Sequence, residues 1–113
     1  MSDCIFCKII SGAIPSQRVY EDEHVIAFRD IAPQAPVHML IVPKEHIASA
    51  ADIAPETSSL TAKCFEAISK IAKNESLTSG FRVITNTGPD AGQTVAHLHF
   101  HLLGGKTLNP GLG

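Results

Sequence analysis

Three histidines at alternate positions, His97, His99 and His101 in "HLHFHLLGG", are the residues of this chain best placed to do chemistry. On an extended strand they point to one face, each roughly 6.5 Å from the next, while Leu98, Phe100 and Leu102 point to the other. The apolar face belongs to a core and the imidazole face borders a cleft. A single histidine there would be a polar residue on a solvated sheet, but three in register followed by Gly-Gly argue against that. Two histidines at i and i+2 can share a tetrahedral zinc ion. Equally, one imidazole can act as nucleophile while its neighbours orient it and bind developing charge, because imidazole titrates near neutral pH and both protonation states can coexist. Spacing alone does not choose between these two chemistries.

A second group of candidates is Cys4 and Cys7. C-x-x-C is half of a tetrahedral zinc site, but it also suits a redox motif or two packed thiols. The redox reading needs a thioredoxin-like βαβ unit, and no such pattern follows. Cys64 lies on the apolar stripe of a helical segment and reads as an inert core residue.

The elements that must hold these groups follow from periodicity. "DCIFCKIISG" reads as a short N-terminal helical turn stopped by Gly12 and Pro15. "RVYEDEHVIAFRD" alternates around "EDE" and predicts a hairpin from Val19 to Arg29. "APQAP" is a loop, and "VHMLIVP" is a strand closed by Pro43. Leu60, Cys64, Ile68 and Ile71 recur at helical spacing, which predicts a long helix over 55–75 with Pro55 in its first turn and Gly80 past its end. "FRVITN" and "AHLHFHLL" are two further strands around the loop "TGPDAG". This order predicts an α+β fold: an antiparallel five-stranded sheet with one long helix and a short N-terminal helix. No Gly-rich fingerprint opens a helix after a strand, so neither a P-loop nor a Rossmann site is present.

At 113 residues the chain reads as one domain, 1–113, with the last eight or so residues, "KTLNPGLG", a loose tail. A net charge of −2 supplies no basic field for nucleic acid or an anionic membrane, so any bound nucleotide must be small and held in a pocket. The first residues lack a signal-peptide pattern, no run reaches membrane-span length, and an odd count of three cysteines suits a reducing cytoplasm.

H-φ-H-φ-H-φ-φ, with φ apolar, is the signature of the histidine triad (HIT) superfamily, and "HLHFHLL" matches it at every position. "CIFCKIISGAIPS", "FRDIAPQAPVHMLIVPKEHI" and "NTGPDAGQTVAHLHFHLLGG" resemble the Hint branch, the nucleoside phosphoramidate hydrolases, in order and spacing. The resemblance spans nearly the whole chain except the tail.

It implies that His99 is the nucleophile, attacking the α-phosphorus of a purine nucleoside 5′-phosphoramidate or an aminoacyl-adenylate-like adduct. A nucleotidyl-histidine would form and water would release an AMP- or GMP-type monophosphate. His101 would bind the phosphate and His97 would support the geometry. Thr94 stands where the family commonly has serine, which keeps the hydroxyl but adds a methyl group. Gln93 and the backbone from Gly92 to Val95 would complete an anion cradle. Asp30 would take the ribose hydroxyls, Asn86 would contact sugar and phosphate, and Ile5, Phe6, Ile9, Phe28 and Ile31 would form the purine slot. His38 would be either a supporting group near the triad or a satisfied core histidine.

The same resemblance implies structural zinc held by Cys4, Cys7, His46 and His97, and a homodimer paired through the long helix and the "FRVITN" strand. The chain departs from the branch in its tail, which lacks the tryptophan and "PPG" that reach toward the partner subunit. A dinucleoside polyphosphate hydrolase is the enzymatic alternative, and a non-catalytic, zinc-stabilised nucleotide-sensing module is the other. A galactose-pathway nucleotidyltransferase would replace His101 by glutamine and add a second domain. A hydrolase using the triad as metal ligands is a further alternative.

Overall fold

The computed structural model describes residues 4–113. It contains α1 (Ile5–Ser11), β1 (Arg18–Glu21), β2 (Val25–Arg29), β3 (Val37–Pro43), α2 (Ser58–Asn74), β4 (Phe81–Ile84) and β5 (Phe100–Gly104). The strands form one antiparallel sheet in the order β1-β2-β3-β5-β4. This is the expected α+β arrangement of five strands, one long helix and a short N-terminal one.

Alternation assigns each side chain to a layer. Val25 and Ala27 of β2, Val37, Met39 and Ile41 of β3, and Phe100 and Leu102 of β5 face α2. They meet Cys64, Ala67, Ile68 and Ile71, which recur on one stripe of that helix. On the opposite face Ile26, Phe28, Leu40 and Val42 meet Phe6 and Ile9 of α1. Because α1 is only seven residues long, it covers part of that face and leaves the β5–β4 side uncovered.

Several boundaries differ from the sequence expectation. Helix α2 begins at Ser58 because Thr57 Oγ1 accepts from Ala54 N–H and donates to Ala54 C=O, holding Pro55 in a preceding turn. It ends before Gly80: Ser76 takes the left-handed conformation at φ 58°, and Leu77 N–H closes back on Ala72 C=O at 2.9 Å. In the N-terminal segment Cys4 caps α1, and Gly12 at φ 87° ends it; Asp3, where the expected turn starts, lies outside the described residues.

The largest difference is in the last strand. "AHLHFHLL" predicts a strand from Ala96, yet pairing starts only at Phe100 opposite Ile41, and β4 ends at Ile84 opposite His101. The chain at His97–His99 finds other partners: Leu98 N–H donates to Ile47 C=O and the Thr85 hydroxyl donates to His99 C=O at 2.8 Å. Beyond β5, Gly105 turns the chain at φ 88°, where a Cβ would stand 3.0 Å from Pro36 Cβ. The tail then crosses β4, where the Arg82 guanidinium donates to Asn109 C=O at 2.7 Å.

Leu102 is fully buried between the sheet and α2. Leu102→Ala is expected to destabilise the fold by about 2–5 kcal/mol through lost transfer energy and a residual cavity. Urea unfolding followed by circular dichroism checks this, and an unchanged midpoint would contradict the packing.

Candidate functional site

His97 and His99 leave the strand ladder but keep its alternation. Leu98 stays under α2, while both imidazoles turn to the α1 face. Phe6 meets His99 edge-on with ring centroids 5.0 Å apart and His97 at 6.0 Å, and His99 lies 5.2 Å from His101. The three rings therefore form one row on one face, with His97 and His99 buried and His101 half-buried.

Hydrogen bonds fix their tautomers. His99 Nδ1 lies 2.7 Å from the His97 carbonyl, which can only accept, so Nδ1 carries the proton and Nε2 keeps its lone pair. His38 Nδ1 accepts from Gln34 N–H at 3.0 Å, so the proton of neutral His38 sits on Nε2. That proton faces His101 Nδ1 at 2.9 Å, with Asp30 Oδ2 at 3.5 Å. His101 must then carry its own proton on Nε2. The row thus offers a lone pair on His99 beside an N–H donor on His101.

Burial disfavours the charged form of His38, His97 and His101. Desolvation pushes the His38 pKa down against the opposing pull of Asp30. His101 is lowered first by burial and then by the positive charge that His99 and His38 would carry. Burial also lowers His97, with the Pro43 carbonyl acting the other way.

Asp30, His38 and His101 place three ligand-type atoms within 4.8 Å of one another. The Gln34 N–H nevertheless commits His38 Nδ1 as an acceptor, so His38 Nε2 has a proton and no lone pair for a metal. This group is a hydrogen-bond relay.

A second cluster has the opposite character. Cys4 Sγ, Cys7 Sγ, His46 Nδ1 and His97 Nδ1 converge within 4.8 Å of one another. His97 Nδ1 lies 3.3 Å from Cys4 Sγ, 3.6 Å from Cys7 Sγ and 3.1 Å from His46 Nδ1, and Cys7 Sγ lies 3.4 Å from His46 Nδ1. His97 Nε2–H donates to Pro43 C=O at 2.9 Å, which leaves Nδ1 as the lone-pair atom aimed at the cluster. These four residues could hold a metal ion.

Of the other residues singled out in the sequence, Phe6, Ile9 and Phe28 pack together beside the triad, with Val95 against them. Ile5 and Ile31 project into solvent, Ile31 completely. Asn86 lines a cavity of about 380 Å³ with His38, His101, Ile84 and Arg82. Gln93 faces the loop instead: its Oε1 accepts from Gly88 N–H, and its amide donates to Ala48 and Val95 carbonyls. Thr94 is exposed beside it. Three supports escaped the sequence reading: Gln34 N–H, the Pro43 carbonyl and the Thr85 hydroxyl. Two are main-chain groups, which any residue carries and no motif can announce.

A family model described as the HIT domain matches residues 11–108. An uncharacterized HIT-like protein of Synechococcus elongatus is 51% identical over 106 residues, covering 94% of this chain and 93% of that protein. The purine nucleoside phosphoramidase of Escherichia coli K12 is 45% identical over 109 residues, covering 96% and 92%. Among solved structures, a HIT family hydrolase from Clostridium thermocellum superposes with a TM-score of 0.96 at 48% identity, covering 99% and 98% of the two chains.

Because His38 and His101 are lowered below the ordinary imidazole value of 6.5, the unfolded chain binds protons first as the solution is acidified. Their contribution to stability is complete above pH 6.5 and is lost as pH falls from there toward the folded values. The thermal midpoint should fall with acidification below that point, and the slope should be shallower in His38→Gln. Calorimetry across this range checks it; equal slopes would contradict burial as the cause.

Proposed function

The chain belongs to the HIT family, and from that membership and the geometry above we propose that it is a hydrolase of purine nucleoside 5′-phosphoramidates. The observation that carries this reading is the tautomer pair: a lone pair on His99 Nε2 next to an N–H donor on His101. The identity to a purine nucleoside phosphoramidase supports the substrate class.

In the proposed reaction His99 Nε2 attacks the α-phosphorus, the P–N bond breaks, and the amine departs with a proton drawn from solvent. Water then attacks the same phosphorus, its proton returns to solvent, the histidine–phosphorus bond breaks, and the nucleoside monophosphate is released. Dividing one displacement into two lets a good nucleophile carry out the first. His101 Nε2–H stabilises charge on the phosphoryl oxygens, and His38 holds it in that tautomer. His97 supports His99 through its carbonyl. Asp30, which also accepts from Ala32 N–H at 2.8 Å, pairs with the ribose hydroxyls through its other oxygen. Asn86 contacts sugar and phosphate, and Thr94 with the backbone from Gly92 to Val95 meets the phosphate or the departing amine. Gln93 acts here by bracing that loop. Phe6, Ile9 and Phe28 line the purine slot, with the exposed side chains of Ile5 and Ile31 as walls that a base would cover.

The metal proposed for the Cys4, Cys7, His46 and His97 cluster is zinc. Tetrahedral zinc with Zn–N of about 2.05 Å and Zn–S of about 2.3 Å places ligand atoms roughly 3.3 Å (N···N) and 3.6 Å (N···S) apart. The 3.1 Å and 3.3–3.6 Å separations fit that shell. Bound there, zinc supplies structural anchorage, because four protein ligands leave no open position. A homodimer is supported by the edge position of β4 and by two exposed aromatics, Phe65 on α2 and Phe81 on β4. The three free thiols suit a cytoplasmic setting, and among the described residues no helix is long and apolar enough to cross a membrane.

His99→Ala should lower turnover of adenosine 5′-phosphoramidate by ~10³-fold or more while AMP binding survives. Quenching the wild type with labelled substrate should trap the nucleotidyl group on His99; wild-type rates in the variant would end the proposal. Separately, purified protein should carry stoichiometric zinc by elemental analysis. Cys7→Ser should lose that zinc and melt at lower temperature, whereas a zinc-free wild type of undiminished thermal midpoint would refute the structural role.

A further inference from the structure

The peptide His97–Leu98–His99 lies outside the ladder, so the position of the His99 ring depends on how that peptide is anchored. Its first carbonyl, on His97, is held by the His99 ring itself at 2.7 Å. The Leu98 N–H is held by Ile47 C=O. The His99 carbonyl is held by a side chain, the hydroxyl of Thr85, at 2.8 Å.

We infer that Thr85 is a positioning residue for His99, an inference that rests on reading His99 as the nucleophile. A carbonyl only accepts, so the Thr85 proton must point at His99. Threonine is β-branched and restricted at χ1, which holds the hydroxyl where the peptide needs it. The pairing of β4 with β5 ends at Ile84 opposite His101, so Thr85 is the next residue beyond the ladder. There its side chain takes over the tie between the two chains. Thr85 also immediately precedes Asn86, which lines the cavity with His101. One residue thus ties the His99 main chain to the segment carrying a cavity side chain. Valine would fill the same volume and leave the carbonyl without this donor. Serine would restore the donor.

The test compares Thr85→Val and Thr85→Ser in full-length protein. For Thr85→Val, kcat on adenosine 5′-phosphoramidate should fall about tenfold or more, with KM within about twofold, since misplacement of the nucleophile affects the reacting geometry. Thr85→Ser should recover most of the loss. Long-range proton–nitrogen NMR of the His99 ring supplies a readout that needs no substrate. Wild type and Thr85→Ser should show a single Nδ1–H tautomer, and Thr85→Val a mixture. A lowered melting temperature with unchanged kcat and unchanged ring signals would mean a merely structural contact and would overturn the inference. Equal losses in both variants would overturn it as well. If wild type turns over no phosphoramidate, the hydrolase reading fails, and the ring spectra alone decide the role of Thr85.

Discussion

One residue, His97, makes contacts in three directions, and the geometry of the site depends on it. Its Nε2–H is bonded to the Pro43 carbonyl, its Nδ1 points into the group of Cys4, Cys7 and His46, and its own carbonyl fixes the His99 ring. Pro43 ends β3, Cys4 caps α1, and His46 lies in the connection after β3. These contacts tie α1 and the end of β3 to the residue whose carbonyl meets the His99 ring.

The chemistry follows from where the rings are buried. Taking an imidazole out of water disfavours its charged form, so His38, His97 and His101 are all pushed toward neutrality. In neutral rings each nitrogen has one role, donor or acceptor, and the surrounding main chain dictates which. Gln34 N–H sets His38, His38 sets His101, and the His97 carbonyl sets His99. A lone pair on His99 and an N–H donor on His101 therefore stand side by side. The same logic separates the two clusters of ligand-type residues. The Cys4 group presents a lone pair on His97 Nδ1, whereas His38 Nε2 in the Asp30 group presents a proton.

The sheet supplies the asymmetry that makes a cleft possible. Helix α2, at seventeen residues, seals one face, while α1, at seven, seals only the part of the other face near Phe28 and Val42. The uncovered remainder exposes His101, Ile84 and Asn86, and the chain beyond Gly105 folds over β4, pinned by Arg82. Core packing and site formation are thus two outcomes of one difference in helix length.

The sequence by itself determined the periodicities: alternate histidines on one face, the helical stripe through Cys64, Ile68 and Ile71, and hence the α+β layering. Those signals are legible because a strand repeats every two residues and a helix every 3.6, so side-chain types sort onto faces before any tertiary contact exists. Resemblance to the HIT superfamily added the residues to watch. Only the tertiary structure decided where the last ladder begins, that Ser76 and not Gly80 turns the chain after α2, and that Gln93 braces a loop. It alone also decided which nitrogen of each histidine carries the proton. Such features depend on main-chain carbonyls and N–H groups brought together from distant segments, and every residue type carries those groups. A motif records side chains; it holds no trace of Pro43 C=O or Gln34 N–H, whose effect exists only once the fold has placed them against a ring.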